Sequence, residues 1–203
     1  MKTKEVDLDK IVLKRGAHDP PDNGIVDACV MEVVSYVAGE PWSDSPQCAS
    51  GVIGAFLRSW NDALPDGDRQ RLKPYVTKLI GTAASREVEL KRSWMALDWL
   101  ARAQAVSWLK LAKLQEHADA VAALEEITGP ESARKAQPTL KAARDAAAAA
   151  SRAAARAAAW DAAGDAAGAA AWAAASKALA PTVSELQESA FELLDRMIAV
   201  GSD

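Results

Sequence analysis

The chain has 203 residues, half of them hydrophobic, with 24 basic and 28 acidic side chains and a formal net charge of −4. That length supports one or two domains with a real hydrophobic core and no need of disulfide or metal staples. The acidic balance, with a sequence pI near 5.3, excludes a global basic field that would draw the chain to nucleic acid or to an anionic membrane.

The first ten residues, M-K-T-K-E-V-D-L-D-K, are charged throughout and lack the apolar run of a secretory leader. No segment reads as a membrane span. The alanine-rich stretch comes closest, but Asp161 and Asp165 interrupt it and alanine contributes little transfer energy. The two cysteines, Cys29 and Cys48, are therefore expected as free thiols in a cytoplasmic protein rather than as a disulfide.

Residues 2–15 intersperse Val6, Leu8, Ile11, Val12 and Leu13 with charges and suit a short strand or an extended arm. Residues 15–24, R-G-A-H-D-P-P-D-N-G, form a rigid loop, because proline fixes φ and glycine permits positive φ. A first helix is expected over 25–38. Val26, Val30, Val33, Val34 and Val37 share one arc, and Cys29, Glu32 and Tyr36 share a neighbouring flank. Gly39 and Pro41 end it. A second helix over 49–64 has Ser50 as a candidate cap and Ile53, Phe56, Leu57, Trp60 and Leu64 as its apolar stripe. The next helical segment reaches about residue 80 and is expected to kink or split at Pro74.

From residue 85 a long helical pattern begins. Leu90, Trp94, Leu97, Ala101, Ala105 and Trp108 are spaced 4, 3, 4, 4 and 3, and Met95, Trp99, Val106 and Leu109 widen the apolar face, which predicts a helix central to the core. A short helix over 115–127 carries His117, and Gly129-Pro130 is the clearest boundary. Beyond it the chain is alanine-rich and strongly helix-forming. Arg152, Arg156, Trp160, Gly164, Gly168, Trp172 and Ser176 recur every four residues, so the line they draw drifts about 40° per step around an ideal helix. Gly164 and Gly168 have the spacing of a close helix crossing. Pro181 is expected to break this helix. Leu186, Ala190, Leu193, Met197 and Val200 then give a last helix with a short heptad stripe. The expected organisation is all-α: a helical N-terminal domain over 1–128 and an alanine-rich antiparallel hairpin over 131–203.

Three kinds of site are conceivable. Cys29 is a candidate nucleophile with His18 or His117 as its base and Glu32 to orient it, since a reactive thiol needs a lowered pKa and a base within reach. A cysteine packed between two helices accounts for the same residue. His18, Cys29, Glu32, Asp44 and Cys48 are possible zinc ligands, but no C-x-x-C, H-x-x-x-H or H-E-x-x-H spacing supports a metal. No other cofactor motif occurs. Trp42 in a proline loop, and Trp160 and Trp172 on an alanine surface with Gly164 and Gly168, are candidate interface residues. Over residues 66–92 seven cations outnumber four acids, Asp66, Asp68, Glu87 and Glu89, a weak pattern for nucleic-acid contact through residues 69–92 that a solvated helix face also explains.

The segments L-K-R-G-A-H-D (13–19), C-V-M-E-V-V-S-Y-V-A-G-E-P-W-S-D-S-P-Q-C (29–48) and R-S-W-N-D-A-L-P-D (58–66) resemble uncharacterised proteins of actinobacteria and their phages. W-M-A-L-D-W-L (94–100) and L-Q-E-H-A (114–118) are similar too, so the likeness covers about residues 13–124. It implies an actinobacterial or phage cytoplasm and carries no activity. The leading expectation is a non-catalytic interaction or regulatory protein that binds a partner, or itself, through the C-terminal hairpin. A small thiol-dependent enzyme or metal-binding protein centred on Cys29 is the alternative.

Overall fold

A computed structural model of the chain describes residues 4, 6–21, 27–161 and 165–201, with the side chains of 154–178 left outside the description. The fold is all-α. Among the described residues the β structure is one parallel pair of two-residue strands, β1 (Val12–Leu13) and β2 (Asp27–Ala28), with Val12 opposite Asp27 and Leu13 opposite Ala28. The chain divides into two compact units, Met1–Ser93 with Leu194–Asp203, and Trp94–Leu193.

In the first unit the central helix is α1 (Val30–Ala38), shorter at its start than the 25–38 helix expected from the valine spacing. Residues 27–28 pair with β1 instead, and Lys14 N–H donates to the Ala28 carbonyl at 2.8 Å. Cys29 then caps the helix in extended conformation. At the other end Gly39, at φ 74°, donates to the Ser35 and Tyr36 carbonyls, the left-handed stop that glycine adopts without steric cost. All of α1 except half-buried Tyr36 is buried, so the flank of Cys29, Glu32 and Tyr36 is not a solvent face.

α2 (Gly51–Ala63) and α4 (Tyr75–Leu79) pack on α1. Between them α3 (Asp66–Arg69) and a 3-10 turn over Gln70–Leu72 break up the chain ahead of Pro74, as the proline implied. Leu13, Val33, Val34, Ile53, Leu57, Leu72, Val76 and Leu79 are buried in this unit. So are Leu194 and Met197, from the far end of the chain.

Arg92, 1% exposed, joins these pieces. Its Nε donates to the Met197 carbonyl at 2.9 Å, and its Nη1 donates to the Thr82 carbonyl and to Glu89, each at 2.7 Å. Glu89 in turn accepts from Ser50 Oγ at 2.7 Å and from Val52 N–H at 3.1 Å, at the start of α2. Burial alone would raise the Glu89 pKa, but these donors and the Arg92 charge hold it below its ordinary value.

The long helical run predicted from residue 85 is present as α5 (Arg86–Trp99), a π-helical segment over Leu100–Gln104, and α6 (Ala105–Leu111). Its buried side follows the predicted apolar face only in part, at Ala101, Val106 and Leu109. Leu90, Leu97 and Trp108 are exposed, and the buried positions include Arg92, Asp98, Ala101, Val106 and Leu109. Two causes combine. Arg92 and Asp98 can be buried because internal partners meet their charges, and the π turn changes the register that a uniform 3.6-residue period assumes.

In the second unit Asp98 accepts from Arg102 Nε at 2.6 Å and Nη2 at 2.8 Å, and from the Ile127 N–H at 2.8 Å. α7 (Gln115–Ala122) and α8 (Pro130–Asp161) complete its small cores: Val106, Leu109, Ala118, Val121 and Ala143 in one, Ala101, Ile127 and Ala136 in the other. Pro130 occupies the first turn of α8, where its missing N–H costs nothing. Ser132 Oγ accepts from the Gly129 N–H at 3.1 Å just before it.

α9 (Asp165–Ala199) runs through Pro181, which was expected to end a helix. One proline removes a single backbone hydrogen bond, and a helix rich in good helix formers can absorb that loss as a local distortion. The antiparallel pairing expected of the hairpin rests on residues outside those described.

Candidate functional site

Glu32 sits in the first turn of α1 with a side chain only 2% exposed, and its two oxygens meet three donors. Oε1 accepts from the His18 N–H at 2.7 Å. Oε2 accepts from the Cys29 N–H at 2.7 Å and lies 3.0 Å from His18 Nδ1. The Glu32 N–H donates back to Cys29 Sγ at 3.4 Å, completing a reciprocal capping box in which a cysteine takes the place usually held by serine or threonine. Trp42 Nε1 donates to the His18 carbonyl at 2.8 Å, and its ring meets Tyr36 edge-on at 6.4 Å. Ser35 Oγ donates to the Glu32 carbonyl and accepts from the Ser43 N–H, which fixes the following loop.

The structure thus brings His18, Cys29 and Glu32 together, as the sequence suggested, but in a cap rather than a nucleophilic centre. Cys29 is 3% exposed. Burial, reinforced by the Glu32 charge, pushes its thiol up to about 12, against the direction nucleophilic catalysis requires. Cys48 is likewise buried and pushed up to about 11, first by burial and then by Glu40. Both cysteines are free thiols. His117 lies on α7 in the second unit, whereas Cys29 belongs to the first.

The five zinc candidates do not form a site. Among the described residues no three of histidine, cysteine, aspartate and glutamate are grouped to hold a metal ion. The Glu32 oxygens are engaged by N–H groups, and Asp44 Oδ1 accepts from Ser45 Oγ while its carbonyl accepts from Arg58. The Cys48 carbonyl accepts from the Gly81 and Ala83 N–H groups.

Trp42, expected as an interface anchor, is half-buried within its own unit and holds the His18 loop. Trp160, Gly164, Gly168 and Trp172 lie where side chains or placement are outside the described residues. The cationic segment 69–92 loses two of its seven positive groups to the interior. Arg69 donates to the Asn61 and Leu64 carbonyls, and Arg92 is the buried tie already described. No helix among the described residues is long and apolar enough to cross a membrane.

The second unit carries a surface that sequence reasoning missed. Leu97, Leu100 and Trp108 are 38–46% exposed on the run from α5 to α6. Leu97 also lines a cavity of about 440 Å³ with Ile127, Ala133, Gln137, Leu140, Lys141 and Arg144. The walls are mainly apolar, and two cations stand at the α8 edge. Lys141 Nζ and Arg144 Nη2 both reach Asp145, at 2.8 and 2.9 Å, and their donors hold that carboxyl below its usual range. One carboxylate thus serves two cations, leaving the edge one positive charge in excess. A sequence signal was available: Asp98 and Arg102 are four apart, as an internal ion pair on one helix face requires.

No protein-family model, curated protein or solved structure matches the chain.

Proposed function

We propose that this is a non-catalytic interaction protein whose second unit binds a protein partner. The observation that carries the reading is the set of large apolar side chains, Leu97, Leu100 and Trp108, left partly in water on one helical run. Isolated exposed leucines are ordinary. Leu97 and Leu100 on neighbouring turns, with Trp108 about two turns on and Leu97 lining an apolar cavity, match the pattern of a docking surface, where burial of aliphatic and aromatic groups supplies the binding energy.

The first unit supports the same reading from the other side. Its chemically capable residues are engaged in holding a helix start and a loop, with the Cys29 thiol far from its reactive form. The test is affinity capture with the full chain and with a Leu100→Glu, Trp108→Glu variant that retains the wild-type far-UV spectrum. The expected result is at least one protein retained by the wild type and lost by the variant. Identical retention by both would overturn the proposal.

A further inference from the structure

We infer that the groove of the second unit receives an acidic amphipathic helix of a partner protein, with apolar anchors against Leu97 and Leu140 and carboxylates against Lys141 and Arg144. This inference rests on the interaction reading above and names the chemistry of its partner.

Length argues for a helix rather than a small ligand. The cavity alone, about 440 Å³, falls within the range of small-molecule pockets. Beyond Leu97, which lines the cavity, Leu100 and Trp108 are further exposed apolar side chains on the same helical run. Eleven residues at 1.5 Å rise give roughly 16 Å, about three turns of a partner helix laid alongside. The π segment at Leu100–Gln104 lies between Leu97 and Trp108 and changes their relative facing. On an ideal α-helix Leu100 and Trp108, eight residues apart, would diverge by about 80°. A wider turn between them takes up roughly one residue of rotation, which brings Leu100 and Trp108 to nearly the same face and leaves Leu97 about 80° away, so the three share one broad arc. A helical partner reads such a surface through anchors at i, i+3 or i+4, and i+7.

Charge selects the sign of the partner. Lys141 and Arg144 flank the apolar floor from the exposed side of α8, and share Asp145 between them. A carboxylate arriving at this edge meets the excess positive charge, whereas an incoming lysine meets repulsion. Acidic residues beside apolar anchors are therefore favoured, and the pairing contributes more to specificity and association rate than to affinity.

The experiment uses the full chain and two stapled 15-residue helical peptides with leucine anchors at i, i+4, i+7 and i+11. One carries glutamate at the flanking positions and the other lysine. Amide and methyl NMR shifts locate binding, and a fluorescence titration measures it. The glutamate peptide is expected to shift Leu97, Leu140 and Lys141 signals and to bind at least tenfold tighter than the lysine peptide. Lys141→Glu, Arg144→Glu, both at exposed positions and checked for a wild-type far-UV spectrum, should reverse that preference. Leu97→Gln should weaken both peptides.

Equal binding of the two peptides, or shifts away from the groove, would overturn the inference. A chain that is dimeric alone by sedimentation, with the dimer broken by Trp108→Glu, would also overturn it, since a second copy would then fill the face. If affinity capture finds a partner that depends on Leu100 and Trp108 while the glutamate peptide fails, the acidic-helix assignment falls and the interaction reading stands. If neither finds binding, both fall.

Discussion

Replacing Glu32 tests the account of the first unit most directly. In Glu32→Ala the His18 and Cys29 N–H groups lose their acceptor, and Nδ1 of His18 loses its partner. A buried donor left unsatisfied costs about 1–3 kcal/mol, and loss of a helix cap typically about 1 kcal/mol. The Cys29 N–H is fully enclosed and carries its whole penalty. The His18 side is one-quarter exposed, so water recovers part of that loss. Removing the carboxylate also relieves its own desolvation, which keeps the total below the sum of three bonds. The expected destabilisation is about 3 kcal/mol for Glu32→Ala. Glu32→Gln should cost less, about 1–2 kcal/mol, because its single carbonyl oxygen can still accept one N–H while its amide faces a donor. Urea unfolding followed by circular dichroism and tryptophan fluorescence measures both, with the slope checked for two-state behaviour. An alanine variant within 1 kcal/mol of wild type, or a glutamine variant worse than alanine, would refute the assignment of Glu32 as the acceptor at the start of α1.

Four further outcomes follow from other contacts. Both thiols should resist an aromatic disulfide reagent in the native protein at pH 8 and react fully in denaturant. Because burial raises their pKa from 9.0 to about 12 and about 11, the native state holds its thiol protons where the unfolded chain has lost them. Stability from these groups is complete below about pH 9 and falls as pH rises toward 12, and a Cys29→Ala, Cys48→Ala variant should show a flatter alkaline limb. Glu89 has the opposite sign: its depressed pKa contributes stability above its ordinary value of 4.5 that is lost as pH falls, so Glu89→Gln should be less sensitive to acid by urea midpoint. Arg92→Met should cost about 3–5 kcal/mol, because it leaves Glu89 and two buried carbonyls without their cation. For the same reason, deleting residues 131–203 should destabilise the first unit rather than leave it intact. That deletion removes Leu194, Met197 and the carbonyl Arg92 binds, so point variants, not truncation, are the way to separate binding from folding.

Much of this protein is legible from local chemistry. Ser50 and Gly39 end or begin helices for reasons contained in a few neighbouring residues, and the valines of α1 are core as their spacing implies. The proximity of Cys29 and Glu32 is equally local, a three-residue capping relation at the helix start. What the spacing could not supply was the start of α1, because the competing partner of residues 27–28 is a strand more than a dozen residues earlier. Nor could it supply the direction in which α5 faces. An apolar count places Leu90, Leu97 and Trp108 inside, and only the partners of Arg92 and Asp98, contributed by Met197, Thr82 and Ile127, reverse that choice. By itself the sequence determined an all-α chain and a set of helix caps, since propensity and capping act over a few residues. Tertiary structure decided which charges could be buried and which leucines were left outside, because those outcomes depend on hydrogen-bond partners far along the chain.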